Sequence, residues 1–445
     1  MRVLHLVFLG GVLLALAARA ETYYVAPHGD DSQAGTSNAP FRTLMRGAMA
    51  AGPGDTVMVR NGRYGHESAV TGGDSADFAA SPVVLRRSGT PDAWITFQAE
   101  HKGKAVLDCE MVCDSYINLL NASYIVIQGF VITRGYREGI HSNDAAHHIT
   151  LRGNRFEYIA NRDASTGLGL DGMYTNPNCH DFVIDGNIFH DIGRTNASQL
   201  DHALYLRGAN FAIVNNIFYN IQHGWAIQAA QGLSNVLIAN NTFAFPGANK
   251  GSHIMLWRIQ TDITIRNNIF YSPGSPAADN YAITRWTSLV SNCSIDHNVV
   301  YGTVDVLSSS YGCSMSENLQ GSDPQFVRAS SPPYNFRLKS TSPAIHAGAP
   351  IPGLSVDFDG SLRPQDSAND AGAHQYSQAH LRSPRVLPAW LGFLGAQSLA
   401  FMNLLDDLGK PLRDLIRALR DLLLCFLAQL GLDVTDFGAW CDADG

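Results

Sequence analysis

Between residues 121 and 305, apolar and polar positions alternate with period two in short runs, and one run returns seven times. It reads YIVIQGFVI (124–132), HITLRGNRF (148–156), FVIDGNIF (182–189), FAIVNNIF (211–218), VLIANNTF (236–243), ITIRNNIF (263–270) and CSIDHNVV (293–300). The equivalent positions are Phe130, Asn154, Asn187, Asn216, Asn241, Asn268 and Asn298, separated by 24, 33, 29, 25, 27 and 30 residues. Alternation in Ile-, Val- and Phe-rich segments predicts strands. A second apolar stretch precedes each run: GIHSN (139–143), GMYTN (172–176), ALYLRG (203–208), AIQAA (226–230), IMLWR (254–258) and AITRW (282–286). A unit of this length cannot bury its own apolar face, but a stack can. Two or three strands per unit with Gly/Asn turns therefore predict coils of a parallel β-solenoid. A leucine-rich repeat, the main structural rival, fits poorly, because Leu does not dominate and no helical stretch falls inside the period.

The recurrent Asn has a physical reason. Asn tolerates left-handed backbone at turns, and its carboxamide can donate and accept along a column. The Ile/Val and Phe columns are expected inside the coil.

Outside the repeat the pattern changes. Residues 21–120 open with YYVAPHGDDSQAGTSNAPFRTLMRGAMAAGPGDTVMVRNGRY (23–64). That stretch reads as a strand, a Gly/Asp/Ser turn, a short amphipathic helix (Phe41, Leu44, Met45, Ala48) and a second strand. The helix can plug an open coil end whose unpaired edge would otherwise invite aggregation. The start YYVAP, the turn GT-x-x-AP-F-x-T-L and the ending A-x-PGDTV-x-V-x-x-G-x-Y resemble the N-terminal cap of secreted β-helix proteins of the pectate-lyase-like superfamily. The resemblance covers about 22–64 and continues as the repeat to about 305. It implies an all-β fold, a right-handed parallel β-helix, with a helical cap. Residues 306–376 would hold further coils and a C-terminal cap. There SDPQFVRASSPPYNFRLKSTSPAIHAG (322–348) and VDFDGSLRPQDSANDAGAHQY (356–376) resemble the cap elements of such bacterial proteins. Asp357 and Asp359 read as a turn in preference to a cation site.

Residues 377–445 have apolar positions at 408, 412, 415, 419, 422, 426 and 430 with charges between them, which predicts one helical stripe and no membrane span. Such a tail would pack on the coil, pair with a copy of itself, or dock a partner. Residues 1–20 read as a secretory signal peptide: Arg2, the run LVFLGGVLLALA, then Ala18-Arg19-Ala20. The mature chain would start near Glu21 and be secreted, periplasmic or at the cell surface. The formal charge of −8 argues against bulk attraction to nucleic acid. Of seven cysteines, Cys109/Cys113, Cys293/Cys313 and Cys425/Cys441 are close pairs, leaving Cys179; no zinc spacing appears.

Stacked coils present outward rows spaced roughly 4.8 Å apart, close to the length of a sugar unit. With Ile140, Met173, Leu204, Ile227, Met255 and Ile283 pointing inward, His141, Tyr174, Tyr205, Gln228, Leu256 and Thr284 point outward. Asn143, Asn176, Arg207, Ala230 and Arg258 follow two positions on, with Trp286 nearby. The longest insertions, 161–171 and 190–201, flank the same coils, and Asp171 and Asp201 end them. The expected catalytic set is His202, Tyr205, Arg207 and Tyr174. His141, Asn143, Asn176, Gln228, Lys250 and Arg258 would bind substrate, and Asp171 and Asp201 would be metal ligands. In β-elimination on a uronate polymer a base removes the proton beside the carboxylate, an acid protonates the departing oxygen, and a cation neutralises the carboxylate. Tyr205 or His202 suits proton transfer and Arg207 neutralisation. The resemblance implies Ca²⁺ as a possible cofactor. LDGMYTN (170–176) is similar to an Asp-Gly strand of calcium-dependent lyases, although no tandem Asp-Asp follows and Tyr205 stands where a Lys base is expected. These features point to a polysaccharide lyase acting on an acidic glycan. The alternatives are a glycoside hydrolase or uronate epimerase in the same groove, and a non-catalytic surface protein binding glycan or a partner.

Overall fold

A computed structural model describes residues 20–66, 81–160, 169–194, 201–230, 232–247, 252–258, 260–273, 280–286, 290–303, 305–308, 312–364 and 368–377. The expected signal segment, the helical tail with Cys425 and Cys441, Lys250, and the centres of both long insertions lie outside the described residues.

Among the described residues thirty strands form three parallel sheets of eleven, nine and ten, each full coil adding one strand to each, and Phe326–Arg328 pairs antiparallel with Asn335–Leu338. One coil shows the plan. Glu138–Asn143 joins the nine-stranded sheet, His147–Arg152 the eleven-stranded and Arg155–Glu157 the ten-stranded, before Asp171–Thr175 starts the next coil. The stack outruns the 121–305 repeat at both ends, reaching from Thr22–Val25 to Cys313–Ser316 in the eleven-stranded sheet.

The strands pair because their inward positions match. Ile140, Met173, Leu204, Ile227, Ile254 and Ile283 form one fully buried column. Phe156, Phe189, Phe218, Phe243 and Phe270 form another, with successive rings stacked at 4.5, 5.0, 4.9 and 5.0 Å. Burying one such ring stabilises the fold by roughly 1.5–3 kcal/mol.

The Asn positions make a continuous buried ladder. The backbone N–H groups of Phe130, Asn154, Asn187, Asn216, Asn241, Asn268 and Asn298 each donate to the carboxamide oxygen one coil on, at 2.8–3.0 Å. The last acceptor is Asn318, an eighth member. Each carboxamide nitrogen also donates to a strand carbonyl, as Asn241 Nδ2 does to Ile213 O at 2.8 Å. The residue before each ladder position is left-handed, from Gly153 and Gly186 to Asn215, Asn240, Asn267 and His297. Gly and Asn take that conformation at least cost.

At the N-terminal end, Thr43 caps the helix Leu44–Ala50 by accepting Arg46 N–H at 3.1 Å. Leu44, Gly47 and Ala48 are buried, with Gly47 close against Val57 and Val25. Residues after 322 were expected to close the far end. Instead, much of this segment runs back along the side of the stack. Asn215 Nδ2 donates to Val356 O, Asn240 Nδ2 to Asp370 O and Asn267 Nδ2 to Ala349 O, while Arg363 reaches Asn215 Oδ1 at 3.0 Å. The left-handed residues beside the ladder leave these side chains free to take the segment. Asp357 accepts the N–H groups of Asp359, Ser361 and Gln375, and Asp359 pairs with Arg337 and His374, so both act as turn residues. Cys109–Cys113 and Cys293–Cys313 are disulfides, and Cys179 is free and buried.

Candidate functional site

The nine-stranded sheet carries the expected outward row. In register stand Asn118, His141, Tyr174, Tyr205, Gln228, Met255 and Thr284. One member differs from the sequence reading. Met255, not Leu256, occupies the row, and Ile254 takes the inward place. The strand Ile254–Trp257 is apolar throughout, so its parity could not be read from alternation. The next column is consequently Asn143, Asn176, Arg207, Ala230, Trp257 and Trp286. Arg258 falls one place beyond it, exposed and left-handed, with its guanidinium over the Trp257 ring at 4.4 Å.

The row is stacked. His141 lies on Tyr174 at 5.0 Å and Tyr174 on Tyr205 at 5.4 Å, the planes within 21°. The tyrosines are half-buried, with no hydrogen bond from another described residue to either hydroxyl. Burial raises the Tyr205 pKa, and the charges of Arg207 and Arg258 act in the opposite sense. Arg207 is held by its backbone: its N–H donates to Thr175 Oγ1, and that hydroxyl donates to Arg207 O, both at 2.9 Å. Its guanidinium has no carboxylate partner among the described residues. His141 and Asn176 converge on Asn143 Oδ1, at 2.8 and 3.1 Å. Gln228, 8% exposed, continues the row, whereas His141, expected to face outward and bind substrate, is only 3% exposed and lies buried against Tyr174.

Three further expected site residues are placed differently. His202 is 1% exposed; its Nδ1 accepts Trp225 N–H at 3.1 Å, and the ring stacks on Trp225 at 5.3 Å. Burial holds its pKa down at about 3, so it is a neutral prop beside Tyr205, 5.9 Å ring to ring, not a proton-transfer group. Asp201 is fully buried and its oxygens are already taken. Arg194 donates to both at 2.6 and 2.9 Å, and the backbone N–H groups of Arg194 and Leu170 add two further bonds. Asp171 is 2% exposed and accepts His202 N–H at 3.2 Å. Burial and the neighbouring Glu138 and Asp201 carboxylates push its pKa well up, toward the neutral acid. Calcium takes six to eight oxygens. A carboxylate saturated by Arg194 and a sealed acid do not supply them, so Asp171 and Asp201 do not fit a calcium site.

Sequence reasoning missed Arg194, Thr175, Glu138 and Trp257. Glu138 was within reach, since it stands in register with Asp171. Arg194, seven residues upstream of Asp201 inside an insertion, carried no sequence signal.

The three stacked parallel sheets define an all-β, right-handed parallel β-helix. More narrowly, residues 23–182 match the family model described as Pel9A-like, right handed beta helix region. The structure of pectate lyase Pel9A is similar with a TM-score of 0.51 and 17% identity, covering 80% of this chain and 96% of that one. An alginate lyase from Paenibacillus sp. str. FPU-7 aligns with a TM-score of 0.47 and 18% identity, over 67% and 95% of the two chains. Among curated sequences, the uncharacterized protein YwoF of Bacillus subtilis (strain 168) is 28% identical over 148 residues, 31% of this chain. The chain spans 28% of the length of that relative. Among the described residues no helix is long and apolar enough to cross a membrane.

Proposed function

We propose that this protein is a polysaccharide lyase that cleaves a uronate-containing glycan by β-elimination along the Tyr174–Tyr205–Gln228 row, with His141, 3% exposed, stacked beneath Tyr174 as a buried support. The observation that carries this reading is Tyr205, whose hydroxyl has no hydrogen-bond partner among the described residues, two positions from Arg207, whose guanidinium has no carboxylate partner among them. Arg207 binds the uronate carboxylate and withdraws its charge, which acidifies the adjacent C5 proton. The Tyr205 phenolate takes that proton as the C4=C5 double bond forms and the C4–O bond breaks. The regenerated phenol then returns the proton to the departing glycosidic oxygen. Tyr174, Gln228, Asn143 and Asn176 hold neighbouring sugars, with Arg258 over Trp257 at the far end. The likeness to a pectate lyase supports the substrate class, and the apolar N-terminal segment fits a protein that meets polysaccharide outside the cytoplasm.

The sealed carboxylates favour elimination over hydrolysis. A glycosidase needs two carboxylates facing the scissile bond, whereas Asp171, Asp201 and Glu138 are each under 4% exposed. The test is ultraviolet absorbance of unsaturated uronates, with purified protein on pectate, alginate and glycosaminoglycans, with and without chelator. Absorbance should rise on one acidic glycan and survive the chelator. Tyr205→Phe should cut kcat by about 10²–10⁴-fold, the usual share of acid–base catalysis. New reducing ends without absorbance, or full turnover by Tyr205→Phe, would overturn the assignment.

A further inference from the structure

Around the corner from the row, on the eleven-stranded sheet, three histidines meet. His147 begins the strand His147–Arg152, four residues after Asn143; His180 begins the strand His180–Asp185, four residues after Asn176. The two are register partners, and their rings stack at 4.8 Å with planes 2° apart. His148 follows His147 directly, and in a regular strand it would face the opposite side. It does not, because its backbone is left-handed at φ 52°, which turns its ring back to His147; the two Nδ1 atoms are 2.7 Å apart.

This left-handed position recurs in successive coils. At 181, 210, 235, 262 and 292 it holds Asp or Asn. Those side chains bond from coil to coil, Asn210 to Asp181 and Asn235 to Asn210, each at 2.9 Å. His148 and Tyr124 depart from that usage. The His148 ring is flanked by Tyr124 at 4.6 Å and Trp94 at 6.4 Å. Asp181 faces the histidines, with Oδ2 2.6 Å from His180 Nδ1 and 3.7 Å from His148 Nδ1. The three ring nitrogens all lie within 4.8 Å of one another, and all three residues are half-buried, open to solvent on one side.

We propose that His147, His148 and His180 bind one divalent transition-metal ion of the Zn²⁺ or Cu²⁺ class, with Asp181 as the carboxylate that orients His180. The donor chemistry selects the ion: three imidazoles suit zinc, copper or nickel, whereas calcium and magnesium require oxygen. Tetrahedral Zn–N bonds of about 2.0–2.1 Å set neighbouring nitrogens roughly 3.3 Å apart; the 2.7 Å between the His147 and His148 Nδ1 atoms and a His180 nitrogen within 4.8 Å of both are near that spacing. A carboxylate hydrogen-bonded to a ligating histidine is the usual orienting partner. Three protein ligands leave a fourth position for water or a ligand group, and the ion ties two successive coils together beside the row.

The experiment uses the untagged full chain, stripped with chelator and desalted, with Zn²⁺ followed by calorimetry and Co²⁺ by visible absorption. One ion should bind per chain, giving intense tetrahedral Co²⁺ bands that Zn²⁺ abolishes and Ca²⁺ leaves unchanged. The double variant His147→Gln/His180→Gln should lose at least about 100-fold in affinity. Asp181→Asn, which still offers an acceptor to Asn210, should lose about 10–100-fold, the usual cost of removing an orienting partner. No saturable Zn²⁺ binding by the native chain, or equal binding by the double variant, overturns the site. The Co²⁺ spectrum of the native protein decides the matter even if a variant folds poorly, because an octahedral spectrum also overturns it.

Discussion

Replacing His202 by Gln should flatten the acid side of the stability profile. The imidazole is 1% exposed, accepts Trp225 N–H, and has its pKa held at about 3 by burial. In the unfolded chain the same group titrates near 6.5. Between those values the unfolded state binds a proton that the folded state refuses, so stability falls as pH falls from about 6.5 toward 3. From pH 7 to 4.5 the loss integrates to about 2.5 kcal/mol for this one residue. Glutamine can still offer an oxygen to Trp225 N–H but cannot ionise, so its stability should fall by about 2.5 kcal/mol less over the same interval. Other titrating groups are common to both proteins and cancel in the difference. Urea unfolding at both pH values, followed by tryptophan fluorescence and far-ultraviolet circular dichroism, measures it. Parallel pH profiles for the two proteins would show that the imidazole is protonated in the fold, and the reasoning about the site would fail with it.

Elimination should quicken as pH rises from 6 to 9. Burial holds the Tyr205 pKa above the ordinary phenol value, so the phenolate fraction grows about tenfold per unit; a flat profile would exclude Tyr205 as the base. Arg207→Ala should raise KM and lower kcat together, and the same substitution at exposed Arg258 should act mainly on KM; steady-state kinetics separate the two. Asn241→Ala orphans the buried Asn216 N–H and should cost about 2–5 kcal/mol in denaturant melts. Arg194→Met leaves the Asp201 charge buried and unpaired, at a cost of about 3–5 kcal/mol by the same measurement.

The coil was legible because its information is periodic. The Asn and Phe columns and most of the outward row follow from spacing alone, whereas the cysteine spacing named close pairs without fixing which of them bond. Where alternation lapses, the reading slips. The apolar run Ile254–Trp257 shifted the row by one residue, and MSENLQ (315–320) hid the eighth ladder position because Gln320 stands where the other units carry Phe, Ile or Val. The chemistry was harder to read than the scaffold, because polarity was taken for exposure. His202, Asp171 and Asp201 are polar and buried, and what permits this is contacts to Trp225, His202 N–H and Arg194, which no local pattern announces. The side-on course of residues 349–364 and 368–373 was equally hidden, since Asn215, Asn240 and Asn267 look like ordinary turn residues.

The Asn ladder has a direction. Every N–H in it points from one coil to the oxygen of the next, from Phe130 toward Asn318. Aligned amides polarise one another, and a stack halted partway presents two unsatisfied donors on its growing face and none on the face behind. The two faces of a stack are therefore chemically different: donors face coil n + 1 and a carboxamide oxygen faces coil n − 1. A chain emerging from its N-terminus always extends the donor face.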